Sequence, residues 1–115
     1  MERSGGTPDI GGAGLERLPN ANYNRGRSKE YRVMELLRIE GWVVARSAGS
    51  HSPVDVFAAK SGATLLVQVK NGTARLKAEE AKELVKWAEA FNADAEIWHF
   101  KGRGNLEKRR LRARK

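Results

Sequence analysis

The sequence has no cysteine. That excludes a disulfide framework and any thiolate metal site, leaving oxygen and imidazole groups as the available ligands. Nowhere does an uninterrupted apolar run approach the roughly 20 residues of a membrane helix, and the N-terminal residues carry no secretory apolar region, so a soluble cytoplasmic protein is expected. Acids are the scarcer charge, 14 Asp and Glu against 22 Lys and Arg, and a net charge of +8 points to a polyanionic partner. Eight of the bases fall in residues 101–115 with a single acid, Glu107, so that +7 of the charge lies in that segment. Phosphate contact is the reading taken for it, with a solvated terminal tail as the alternative. At 115 residues the chain has room for one core and no second domain, and packing against an identical copy would relieve the marginal stability of so small a domain.

Residues 1–24 hold scattered Gly, Pro8, Pro19 and three Asn with no apolar period, and read as a flexible arm. From Ser28 to Glu40, Val33, Met34, Leu36 and Leu37 follow amphipathic helical spacing, and Gly41 supplies the stop. Trp42–Arg46 is a short β-prone segment and Ser47–Pro53 a loop; Val54–Ala59 reads as a second strand. Lys60–Ala63 is a tight hairpin connection into a third strand, Thr64–Lys70, with Leu65, Val67 and Val69 on one face and Gln68 and Lys70 on the other. Helical spacing returns over Ala78–Asn92 through Ala81, Leu84, Val85 and Ala88; Ala95–Phe100 is a last apolar strand before the basic tail, 101–115. This order predicts one small α/β domain, a mixed sheet with helical cover.

Three polar features need a common explanation: Glu30 in the first turn of the first helix, Asp55 just inside the second strand, and the Gln68-Val69-Lys70 run. The hairpin brings Asp55 beside Gln68 and Lys70. A carboxylate among Val54, Val56 and Phe57 is seldom buried unless paired or bound to a cation, and a hard divalent ion such as Mg²⁺ or Mn²⁺ takes such oxygen ligands together with waters and a substrate phosphate. Taken singly, each residue has an ordinary explanation: Glu30 favoured by the helix dipole, Asp55 a turn residue after Pro53, Lys70 a solvated charge. None of these explains why the polar groups line up on adjoining strands.

The ordered strings Gly26-Arg27-Ser28-Lys29-Glu30, Gly41-Trp42-Val43-Val44-Ala45-Arg46-Ser47-Ala48-Gly49-Ser50, Pro53-Val54-Asp55 and Gln68-Val69-Lys70 resemble the core of the archaeal-type Holliday junction resolvases. These are members of the PD-(D/E)xK nuclease superfamily, and the likeness runs from about Arg25 to about Phe100. It implies a restriction-endonuclease-like α/β fold, residues 25–100, and a metal-dependent DNA endonuclease acting on four-way junctions as a homodimer. It implies further that Glu30, Asp55 and Gln68 hold the metal and that Lys70 orients or activates the attacking water. Arg46 would contact a phosphate with Ser47 and Ser50 assisting, His51 lies one place past the matched string, and Arg25, Arg27 and Lys29 would touch DNA near the branch point. Trp87, Phe91 and Trp98 would form the dimer contact, whereas His99, alternating with Ile97, reads as a half-buried strand residue. One departure stands out. Where the family has Glu, this chain has Gln68, a neutral and weaker ligand, which predicts a high Mg²⁺ or Mn²⁺ requirement and keeps two rivals in view: another nuclease of the superfamily, and a junction-binding protein without catalysis.

Overall fold

The computed structural model describes residues 21–47 and 52–115, the first seven of them as backbone only. Its elements run α1 (Ala21–Ile39), β1 (Val43–Arg46), β2 (Val56–Lys60), β3 (Ala63–Asn71), α2 (Ala78–Phe91), β4 (Asp94–Lys101) and β5 (Asn105–Arg112). The strands form one sheet in the order β1-β2-β3-β4-β5, with β3 and β4 parallel and every other pair antiparallel. The parallel pair needs a crossover, and α2 supplies it.

Each helix covers one face. Val33, Met34 and Leu37 of α1 pack with Val56, Ala58, Leu65, Val67, Trp98 and Phe100. On the opposite face Leu84 and Ala88 of α2 pack with Val54, Leu66, Ala93, Ala95 and Ile97. This division is the alternation of β3 made physical: Leu65 and Val67 belong to one cluster and Leu66 to the other. Gly41 ends α1 with φ +96°, and the Gly41 N–H to Arg38 and Trp42 N–H to Leu37 bonds are the pair expected of a Schellman cap. Ser61 and Gly62, both at positive φ, make the two-residue turn between β2 and β3.

Four expectations change. The helix expected from Ser28 begins at Ala21, inside the segment expected to be an arm; no proline interrupts 21–39, and a nucleated helix extends through residues of middling propensity. The rest of that arm, and the loop residues Ser50 and His51, lie outside the described residues. Asp55 sits in the bend before β2 rather than within a strand.

The largest change concerns the basic tail, most of which is strand β5, paired with β4 from Ala95↔Arg112 to Lys101↔Asn105. Its charges are absorbed across the sheet: Arg110 donates to Glu96 (2.7 Å), Arg112 to the carbonyls of Ala93 (2.8 Å) and Ala88 (3.3 Å), and the Lys108 ammonium lies 4.1 Å from the Trp98 ring centroid. Trp98, expected at a dimer contact, is 1% exposed in the α1-side core, its indole N–H donating to Glu96 (2.9 Å). A side chain so enclosed offers no area to a partner.

Candidate functional site

The entry to β2 sets the site's geometry. The Asp55 N–H donates to the Val67 carbonyl (2.9 Å), although Val67 is the register partner of Val56, so two residues of the incoming chain face one residue of β3, as in a β-bulge. The packing shows the same break: Val54 belongs to the α2-side cluster and Val56 to the α1-side cluster, where regular alternation would put both on one face. Regular pairing would also place Val54 opposite Val69. The Asp55 carboxylate takes that position instead, accepting the Val69 N–H at 2.8 Å. The bulge therefore fixes the acid by a backbone bond and turns it toward the polar residues at this end of the sheet.

Burial pushes the Asp55 carboxyl up from its usual 3.8 to about 6; the Val69 N–H opposes the shift, the Glu30 carboxylate adds to it, and Lys70 and Arg46 oppose it. Those influences show that four of the polar residues singled out in the sequence share one electrostatic neighbourhood. Glu30, on α1, accepts a hydrogen bond from Arg46 at the end of β1 (3.0 Å), both side chains about a quarter exposed, and the Arg46 guanidinium also lies 5.3 Å from the Tyr31 ring centroid. The Ser47 N–H donates to the Asp55 carbonyl (2.9 Å), tying the start of the loop to the same corner.

Gln68 is 9% exposed, and its side-chain oxygen is buried with no hydrogen-bond partner among the described residues. An orphaned buried acceptor costs about 1–3 kcal/mol, so such groups are kept where a ligand satisfies them. Two residues on, the Lys70 ammonium donates to both carboxylate oxygens of Glu80, each at 3.1 Å. Glu80 stands in the first turn of α2 and accepts the Lys77 N–H as well (3.0 Å). Its pKa is lowered, chiefly by that N–H, with Lys70 adding to the effect.

Glu80 was not legible beforehand. A Ser or Thr three residues upstream would have announced a capping box, and this chain has Lys77 there.

The remaining expected residues are less gathered. The Lys29 ammonium lies 5.3 Å from the Phe100 ring centroid. Arg25 and Arg27 are placed only as backbone of α1. Phe91 is 48% exposed on α2, stacked on Trp87 (centroids 6.1 Å apart, 12° between planes) and tilted against Phe57. His99 bonds the Gly72 carbonyl through Nε2 (2.7 Å), so its ring braces the turn after β3, in keeping with its reading as a strand residue.

Among the described residues no three His, Asp or Glu side chains converge closely enough to ligate one ion by themselves. The donors at hand are the Glu30 and Asp55 carboxylates and the Gln68 amide oxygen. All are hard oxygen groups, one of them buried and unsatisfied, and the Asp55 carboxylate is desolvated. That chemistry fits a divalent cation that keeps several waters.

Residues 21–112 match the sequence model of the archaeal Holliday junction resolvase family, a match that takes in β5. The crossover junction endodeoxyribonuclease Hjc of Methanocaldococcus jannaschii is 33% identical over 72 residues, covering 60% of this chain and 53% of that protein. The chain thus spans about half the length of this curated relative. The structure of Archaeoglobus fulgidus Hjc, a Holliday junction resolvase, superposes with a TM-score of 0.66 at 26% identity, covering 75% of this chain and 77% of that one.

Proposed function

The chain belongs to the archaeal Holliday junction resolvase family, and from that premise we propose that it is a metal-dependent endodeoxyribonuclease that resolves four-way DNA junctions, nicking two strands as a homodimer. One observation carries the reading: a bulge-held Asp55, pushed up to about 6 by burial, shares its surroundings with Glu30, Arg46 and Lys70, and on β3, one residue from the Val69 that holds it, Gln68 buries an amide oxygen with no hydrogen-bond partner among the described residues.

Glu30, Asp55 and Gln68 would hold Mg²⁺ or Mn²⁺. Such an ion, when bound, supplies Lewis acidity, polarising a phosphoryl oxygen and acidifying water. The chain's own groups do the rest. Lys70 brings a largely buried ammonium to the negative charge that builds on the phosphoryl oxygens as water attacks phosphorus and the leaving strand's oxygen departs. Arg46, at the mouth of the loop, exchanges its bond to Glu30 for two oxygens of one phosphate, a bidentate contact suited to the guanidinium. An open cleft of about 300 Å³ runs on from Lys70 between Arg75, His99, Lys101 and Arg109, and gives neighbouring phosphates a cationic floor. Contacts of this kind read backbone path rather than base sequence, as selection of a branched structure requires.

The deciding experiment digests labelled four-way junction and linear duplex of the same sequence in Mg²⁺ and in Mn²⁺. Paired nicks in the junction with the duplex intact are expected, and equal cutting of both would refute structure selectivity. Gln68 favours a second reading, a junction-binding protein without catalysis. Tight junction binding with no cleavage in either metal would establish that one instead.

Pairing of nicks requires two sites, and the Trp87–Phe91 stack on α2, its Phe91 exposed and its Trp87 partly buried against the core, is the surface we assign to the two-fold contact. Phe91→Asp places a charge in that contact and is expected to yield a monomer by sedimentation, with single rather than paired nicks. A variant that sediments as wild type would remove this face from the assignment.

A further inference from the structure

Lys70 has an unusual charge environment for a largely buried ammonium. Its side chain is 14% exposed. Gln68, two residues back on the same face of β3, is neutral, and the cleft beside it is lined by further cations, Arg75, Lys101 and Arg109, with Glu107 of that cleft bonded to Lys101 (2.8 Å). A desolvated cation among like charges requires a nearby anion. The Asp55 carboxylate lies near enough to feel the Lys70 charge, but the carboxylate bonded to that ammonium is Glu80, with both oxygens at 3.1 Å. Its neighbour Glu79 is exposed, whereas Glu80 is half-buried and anchored by the Lys77 N–H, so the carboxylate is held at a fixed place at the start of α2.

We propose that Glu80 carries, from α2, the negative charge that Gln68 leaves out of the strand, and that it is the positioning residue for Lys70. The inference rests on the nuclease reading for its role in cleavage, while the Lys70–Glu80 pairing itself does not. It gives Gln68 a physical context: the charge is relocated from the strand to the facing helix rather than lost. It also makes a prediction that a helix cap alone would not, because moving the charge back should restore the site.

The test uses the full chain in three forms. Glu80→Gln keeps an oxygen able to accept the Lys77 N–H and removes the charge; kcat on the junction should fall about 10²-fold with little change in KM. Mn²⁺ affinity, read by electron paramagnetic resonance titration in the absence of DNA, should weaken about tenfold, because the Lys70 charge that reaches Asp55 is left uncompensated. Adding Gln68→Glu to that variant should recover most of both losses. Glu80→Asp, which keeps the charge but withdraws it by one methylene, should fall between. Wild-type kcat and Mn²⁺ affinity in Glu80→Gln would overturn the proposal, as would a loss that follows thermal stability and is not rescued by Gln68→Glu. If the wild-type chain cuts nothing, the nuclease reading fails on its own, and the Mn²⁺ titration with its rescue still decides the role of Glu80.

Discussion

Asp55→Asn is expected to lower junction cleavage by about 10³-fold or more while making the metal-free protein more stable. Both effects come from one cause. The Asp55 carboxyl has its pKa raised from 3.8 to about 6, with burial the largest contribution, so folding disfavours the charged form. A raised pKa means that the stability linked to this group is fully present below pH 3.8 and is lost as pH rises through about 6. Above that, the wild-type chain holds a desolvated negative charge that the Val69 N–H, Lys70 and Arg46 compensate only in part.

Asparagine is neutral at every pH, and its side-chain oxygen can still accept the Val69 N–H. Allowing for solvent screening of a partly exposed group, the variant should gain about 1–2 kcal/mol at pH 8 and almost nothing at pH 4. Urea unfolding in a chelator at the two pH values measures this directly. An equal difference at both, or a less stable variant at pH 8, would mean that burial does not strain this carboxylate. Added Mg²⁺ should stabilise wild type and leave Asp55→Asn nearly unaffected, since a ligand stabilises only the form that binds it.

Trp98→Ala is expected to cost about 3–5 kcal/mol, enough to unfold much of the population of so small a domain. The indole is 1% exposed among Val33, Leu37, Val67 and Phe100, its N–H is satisfied by Glu96, and the Lys108 ammonium covers one face. Truncation therefore leaves a cavity and strands the Lys108 contact in one step. Unfolding by urea at several protein concentrations distinguishes this from a role between subunits, because the loss of a core side chain does not depend on concentration. If Trp98→Ala proved as stable as wild type yet failed to dimerise, the burial assigned to it would be wrong.

Much of the fold was readable because it is local. The three-and-four spacing of Val33, Met34 and Leu37, the positive-φ stop at Gly41, the Ser61-Gly62 turn and the alternation along β3 each depend on neighbours a few residues apart, and the structure has all of them. The grouping of Asp55 with Lys70 was readable for a related reason, since a hairpin of known length dictates which residues lie side by side. The bulge at Asp55 was not. Nothing in Pro53-Val54-Asp55-Val56 shows that one carboxylate will replace a backbone carbonyl in the ladder.

Taken alone, the order of residues determined the helix–strand succession from α1 to β4, the two faces of β3 and the polar set that shares one corner, because period and turn chemistry act over short distances. Besides the bulge at Asp55, three matters were decided only in three dimensions: that 105–112 is a strand, that Trp98 faces inward, and that Glu80 meets Lys70. In β5 two leucines among four Lys and Arg show no apolar alternation, and the strand exists because Glu96, Trp98 and the carbonyls at the end of α2 lie across from those cations. Charged groups are stabilised by whatever folding places opposite them, and a linear sequence does not specify that pairing.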